Sequence, residues 1–234
     1  MGENLLEQFK LADRFTVVSF TLVVAFILTC VVFGIYQANV ENPKSALRRS
    51  FFAMAGVFLW MIIISVIVES GVVAEQPFPR IPLFFAFMNI CAVVFAFSRP
   101  GKWLMALPLW ALVGFQAFRL PLELILHSWA EQGTVPGTMT WTGQNLDIIT
   151  GISAVICAPL SVKYVRAAQV FNIIGFLLLM NVMRVAMMSS PLPFAWGVQP
   201  TLQLVLHLPY AWIGSVCVAG ALAGHLILFR KLKT

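Results

Sequence analysis

The sequence predicts an all-α integral membrane protein, a bundle of seven transmembrane helices with its N-terminus outside the cell and its C-terminus in the cytoplasm. Three observations support this prediction. Hydrophobic residues make up 60% of the chain and charged residues only 10%, whereas soluble domains carry about 25% charged residues. Apolar runs of about 20 residues, enough to cross a hydrocarbon core about 30 Å thick, follow one another with short connections. Basic residues gather at alternate ends of these runs.

The seven spans form one membrane domain over residues 15–234. Their predicted ranges are 15–36, 51–74, 81–98, 103–128, 146–162, 167–189 and 202–229. Pro108 and Pro121 fall inside the fourth span. We expect this helix to bend, because proline cannot donate a helical hydrogen bond.

Residues 1–14 form a separate segment before the first span. Leu5, Phe9 and Ala12 share one face if this segment is helical. The pattern predicts an amphipathic helix lying in the plane of the membrane interface. The segment also lacks the basic start of a signal peptide, so we expect it to stay on the protein.

The distribution of lysine and arginine predicts the orientation. Three of them, Lys10, Arg14 and Arg80, lie on one side of the predicted bundle. Ten lie on the other side: Lys44, Arg48, Arg49, Arg99, Lys102, Lys163, Arg166, Arg230, Lys231 and Lys233. Because cytoplasmic loops are enriched in these residues, the side with ten is assigned to the cytoplasm. We therefore expect a bacterial-type plasma (inner) membrane location and an odd number of spans.

The net charge of +6 does not indicate a nucleic-acid partner. The basic residues stand in small groups at span ends, which is typical of membrane anchoring rather than of a binding stripe. The four cysteines each fall in a different apolar run: Cys30, Cys91, Cys157 and Cys217. Their spacing matches neither a metal site nor a redox pair, so they are interpreted as small buried hydrophobes. The lipid bilayer is the one partner that the composition implies.

Ionisable residues inside the spans concentrate in the predicted outer half. A charged side chain at the centre of a membrane costs about 2.5–3.5 kcal/mol on insertion scales, so such residues face the protein interior and find partners. Arg119, Glu123 and His127 are spaced four residues apart on one face of the fourth span. We predict an outward-facing polar pocket lined by nine residues: Arg119, Glu123, His127, Asn145, Asp147, Asn181, Arg184, His207 and Tyr210.

Binding or transport of a small polar or anionic ligand is the first functional hypothesis. Arg119 and Arg184 would hold the anionic group, because guanidinium groups match carboxylate and phosphate geometry. The alternative is a buried ion-pair network that only maintains helix register, as in a structural or assembly subunit. Asn145 and Asp147 also have an ordinary interpretation, as an N-cap and a first-turn acid of the fifth span.

A membrane-embedded hydrolase acting at the outer leaflet is the second hypothesis. Glu123 or Asp147 would be the general base. Glu123, His127, Asp147 and His207 are candidate ligands for a Zn²⁺-like metal, although their spacing is less specific than H-E-x-x-H. His127 and His207 are also candidates for a haem or quinone site. The sequence assigns no cofactor.

Two further features lie near this predicted site. The connection at residues 130–144 contains several glycines and a proline but no lysine or arginine. It is either a lid over the pocket or an ordinary exposed loop. His225, in the last span, is expected at the cytoplasmic interface near Arg230.

Three segments resemble a known group of proteins: FRLPLELILH at 118–127, WTGQNLDIITG at 141–151 and PYAWIGSVCVAGALAGHLILFRKL at 209–232. They look similar to bacterial multi-pass membrane proteins of unassigned function. The resemblance implies no activity. Microbial rhodopsins share the predicted layout, but the seventh span here lacks the lysine that a retinal Schiff base requires.

Overall fold

The computed structural model describes residues 8–233, which form helices and turns but no strand. The α-helices are α1 Arg14–Gln37, α2 Pro43–Glu69, α3 Val72–Glu75, α4 Pro77–Phe97, α5 Arg99–Leu104, α6 Leu109–Phe115, α7 Arg119–Glu131, α8 Ile148–Leu160, α9 Val165–Ser189 and α10 Ala219–Leu232. Short 3₁₀ turns occupy Gln116–Phe118, Gly137–Met139 and Leu204–Leu206, and a π-helix, Ile213–Val218, leads into α10.

Within residues 8–233, six helical stretches are long and apolar enough to cross a membrane. They are Arg14–Gln37, Pro43–Glu75, Pro77–Phe97, Leu109–Glu131, Val165–Ser189 and Ile213–Leu232. The prediction of an all-helical protein is confirmed for these residues, and several of its helices are long and apolar enough to span a membrane. The predicted fifth span corresponds to α8, which is apolar but has only 13 residues, or about 20 Å at 1.5 Å per residue.

The two prolines of the fourth predicted span have different effects. Pro108 has extended backbone angles and stands at the N-cap of α6, so it begins a helix rather than bending one. The expected irregularity instead lies at the 3₁₀ turn Gln116–Phe118, just before Pro121. Pro121 has no N–H to donate to the preceding turn, which explains the local change of helix type.

The last predicted span begins later than expected. Residues 202–212 contain only the 3₁₀ turn Leu204–Leu206, and continuous helix starts at Ile213. Pro209 removes a backbone donor at this point. Leu202 and Leu204 are nevertheless buried, so the segment packs into the bundle without continuing the helix.

Contacts between distant residues define two ends of the bundle. At what we call the N-terminal end, the Ala12 N–H donates to the Tyr210 hydroxyl at 3.0 Å, and the Asp13 N–H donates to Gln132 Oε1 at 2.7 Å. Phe9 stacks on His207 with ring centroids 4.1 Å apart. Residues 8–13 are not helical, and residues 1–7 of the predicted interfacial segment lie outside the described residues.

The opposite end, which we call the C-terminal end, is closed by basic side chains of α10. Lys231 Nζ donates to the carbonyl oxygens of Met105 and Leu107 at 2.8 and 2.6 Å. Arg230 donates to the carbonyl oxygen of Ala96 at the end of α4. Between the two ends, α10 packs against α4 and α9, while α8 packs against α6, α7 and α9.

Candidate functional site

A buried ion pair joins α7 to the start of α8. Arg119 is 1% exposed and Asp147 is 4% exposed. Arg119 Nε donates to Asp147 Oδ2 at 2.5 Å, and Nη2 pairs with the other carboxylate oxygen. Gly151 permits this approach, because a Cβ at this position would lie 2.5 Å from the backbone nitrogen of Leu120. Asp147, rather than Asn145, occupies the N-cap position of α8, and its side chain makes no cap hydrogen bond.

His225 extends this ion pair towards the C-terminal end. Arg119 Nη1 lies 3.1 Å from His225 Nε2 and 3.5 Å from the carbonyl oxygen of Gly175. The guanidinium can only donate, so Nε2 is the acceptor and the imidazole proton resides on Nδ1. Nδ1 lies 2.8 Å from Asn172 Oδ1, and the Asn172 amide donates to the His225 carbonyl oxygen at 3.2 Å. These contacts link Arg119 through His225 to Asn172.

The expected interfacial position of His225 is wrong. The side chain is fully buried, and its contacts are with polar groups of α7 and α9 rather than with the membrane surface. Gly175 makes room for the ring, because a Cβ there would lie 2.7 Å from His225 Cε1. Spacing along the chain does not pair His225 with Asn172, because the two residues lie on different helices 53 positions apart.

Glu123 lies one helical turn beyond Arg119 and is 1% exposed. Asn145 Nδ2 donates to both of its carboxyl oxygens, at 2.9 and 3.0 Å, and to the Met139 carbonyl oxygen at 3.1 Å. Asn145 Oδ1 accepts from the Asp147 N–H at 3.1 Å. Asn145 thus links the Glu123 carboxyl group to the backbone of Asp147. None of the ion pairs among residues 8–233 includes Glu123.

A cavity of about 60 Å³ lies beside these groups. Arg119, Glu123 and Asp147 contribute to its lining. Most of the wall is apolar and comes from α4, α7, α9 and the π-helix, including Leu122, Leu126, Leu179, Val182 and Cys217. One water molecule needs about 10–15 Å³ on this scale, so the cavity has room for a few waters or one small molecule.

The connection between α7 and α8 covers the cavity at the N-terminal end. Met139 lines the cavity from this loop, and Trp141 stacks on His127 with centroids 4.1 Å apart. The Asn181 amide donates to the Gln144 carbonyl oxygen at 2.8 Å. Of the two interpretations of this loop, the geometry favours a lid.

The other predicted site residues lie away from the cavity. Arg184 is exposed, donates to Asn181 Oδ1 at 2.8 Å and lies over the ring of Trp196. Tyr210 is held by the Ala12 N–H. The predicted pair of arginines for an anionic ligand is therefore not assembled, because Arg119 is buried in an ion pair and Arg184 faces outward from the bundle.

The four candidate metal ligands are also not brought together. Asp147 faces Arg119, Glu123 faces the Asn145 amide, and His127 lies against Trp141 and 3.7 Å from Glu131. The fourth, His207, stacks on Phe9, and burial lowers the pKa of its imidazole. Within residues 8–233, no group of three or more His, Cys, Asp or Glu side chains has a metal-binding arrangement.

No protein-family model, curated protein or solved structure matches the chain. The fold and site define a polytopic α-helical membrane protein with a buried ion pair beside a small central cavity.

Proposed function

We propose that this chain is a small-molecule binding protein of a bacterial plasma membrane, acting as a receptor or a carrier whose ligand occupies the central cavity. The observation that carries the proposal is the position of the buried Glu123 carboxyl on the wall of that cavity. Ionisable groups inside a membrane are costly and mark functional sites more often than ordinary positions do. A mostly apolar cavity with a few converging polar groups is the usual form of a ligand site.

The proposal includes seven membrane crossings, with the N-terminus outside and the C-terminus in the cytoplasm. The contacts of Ala12 and Asp13 at one end, and of Arg230 and Lys231 at the other, support an odd number of crossings. On this topology α8 is a short crossing, and the side rich in lysine and arginine faces the cytoplasm. The lid formed by residues 132–147 then faces outward.

The contacts that Arg119 already makes argue against an anionic ligand. Its guanidinium already contacts Asp147, His225 and the Gly175 carbonyl oxygen. Glu123 and the apolar wall are the parts of the site that remain to contact a ligand. The hydrolase hypothesis loses one candidate base for the same reason, because the Asp147 carboxylate is paired with Arg119.

The experiment compares ligand binding by three proteins: a variant with a larger side chain in the cavity, a variant with the same change on the surface, and the wild type. Ala186 lines the cavity, whereas Ala55 is exposed on the surface of α2. A library of small metabolites is screened for compounds that raise the unfolding temperature of the protein in lipid nanodiscs. We expect stabilising compounds to act on the wild type and on Ala55→Leu but not on Ala186→Leu.

Two results would contradict the proposal. One is a screen in which no small compound stabilises the wild type. The other is a set of compounds that stabilise Ala186→Leu as well as they stabilise the wild type, since these would bind elsewhere. The unfolding temperature of each variant without added compound shows whether it is folded.

A further inference from the structure

We propose that the cavity takes a small organic amine, with Glu123 as the counter-ion of the ligand ammonium group. This inference rests on the proposed ligand cavity and names the class of compound that fits it. Three side chains supply the ionisable groups on the cavity wall: Arg119, Glu123 and Asp147. They comprise one guanidinium group and two carboxyl groups.

The Arg119 guanidinium group pairs with only one of these carboxyl groups. Arg119 binds Asp147 through two nitrogens, and its third nitrogen contacts His225 and the Gly175 carbonyl oxygen. The His225 ring accepts from Arg119 and is therefore neutral, so it adds no positive charge. The site has one more carboxyl group than it has cationic groups.

Glu123 has unused capacity to accept hydrogen bonds. A carboxylate offers about four lone-pair positions, and the Asn145 amide nitrogen is the donor that reaches both of its oxygens. An ammonium group carries three N–H donors, and its positive charge would favour the ionised form of the Glu123 carboxyl group. Hydrogen bonds between charged groups are roughly twice as strong as neutral ones, which favours an amine over an alcohol of the same shape.

The rest of the cavity sets the size and character of the ligand. Leu122, Leu179, Val182 and Cys217 present apolar surface, which suits a short hydrocarbon body. A volume of about 60 Å³ limits that body to two or three carbon atoms, because a cavity that holds a benzene ring has about 150 Å³. A carboxylic acid of this size would meet two carboxyl groups and a guanidinium that is already paired.

The test uses three small probes of similar size: ethylamine, ethanol and acetate. Each is titrated at pH 7 into wild-type protein in nanodiscs of zwitterionic lipid, and dissociation constants are obtained from the rise in unfolding temperature. We expect the amine to bind about tenfold more tightly than the alcohol, because a charge-assisted hydrogen bond contributes more than a neutral one. The carboxylate should cause no shift.

Glu123→Gln should remove the preference for the amine, while Glu131→Gln should keep it. Glu131 lies two turns further along α7 and is exposed, so it is a matched control. Equal binding of amine and alcohol by the wild type would overturn the amine assignment and leave the ligand cavity standing. No shift with any of the three probes would overturn both proposals. The wild-type series decides the question even if Glu123→Gln fails to fold.

Discussion

Two apolar stretches of this protein have opposite surroundings. The stretch Pro43–Glu75 has a mean hydropathy of 2.7 in its most apolar window, yet only 11% of that window is buried in the protein. The stretch Ile213–Leu232 has a lower mean hydropathy of 1.7, and 72% of its window is buried. The less apolar stretch is therefore the more buried one. In a water-soluble protein, the more apolar stretch is expected to be the more buried.

The difference follows from the solvent around a membrane protein. Lipid tails are as apolar as leucine, so exposing Phe58 or Ile62 of α2 to them costs little. Polar groups have no partners in lipid and must find them inside the protein. His225 meets Arg119 and Asn172 there. A functional site is therefore expected around Ile213–Leu232 rather than on α2.

The largest expected effect comes from breaking the buried ion pair. Asp147→Asn leaves the Arg119 guanidinium buried without its full counter-charge, and we expect a loss of about 3–5 kcal/mol in the free energy of unfolding. Glu75→Gln is the matched control. It breaks the exposed pair with Arg80, which should cost at most about 1 kcal/mol.

Chemical unfolding in nanodiscs measures both losses. A further variant, Arg119→Met combined with Asp147→Leu, removes both charges and should lose less stability than Asp147→Asn alone. If Asp147→Asn and Glu75→Gln lose similarly small free energies of unfolding, the buried ion pair stabilises the fold no more than the exposed pair does.

The second prediction concerns close packing. Gly151→Ala would place a methyl group 2.5 Å from the Leu120 backbone nitrogen, so α7 and α8 must separate. We expect a loss of about 1–3 kcal/mol, the usual cost of overpacking. Gly56→Ala on α2 is the control, since a Cβ there meets nothing within 4 Å. Thermal unfolding of both variants tests the difference, and equal stability of the two would show that α8 does not depend on this approach.

The smallest expected effect lies at the N-terminal end, outside the spans. Hydrogen bonds from Thr16 to Asp13 lower the pKa of this carboxyl below its ordinary value of 3.8. A lowered pKa means that the ionised form favours folding. The contribution is present above pH 3.8 and is lost as the pH falls through the lower pKa of the folded state.

We therefore expect Asp13→Ala to unfold at a slightly lower temperature than the wild type at pH 6, and the difference to narrow below pH 3.8. Asp13→Asn keeps an acceptor for the Thr16 N–H at every pH, so its difference from Asp13→Ala should not change with pH. Unfolding temperatures in detergent between pH 2.5 and 6 provide the measurement. If the difference in unfolding temperature between the wild type and Asp13→Ala is constant over this range, ionisation of the Asp13 carboxyl group does not stabilise the folded state.

Part of the site could be predicted from local spacing. The interval of four residues puts Arg119 and Glu123 on the same face of one helix, and both face the cavity. In the structure Asp147 contacts Arg119, and Asn145 contacts Glu123. His127 continues the same spacing, yet it lies against Trp141 because the loop folds over the end of α7. Periodicity identifies a face of a helix but does not say how far along that face a neighbouring segment reaches.

By itself the sequence determined the class of protein, the approximate positions of the membrane helices and the need for buried partners, because composition and periodicity act locally along the chain. Only the tertiary structure decided which partner each polar group takes. Arg119 pairs with Asp147 and His225, and Glu123 with Asn145, because Gly151 and Gly175 allow α7, α8, α9 and α10 to approach closely at those points. Such contacts depend on distances between helices that are remote in sequence, and no local pattern specifies them.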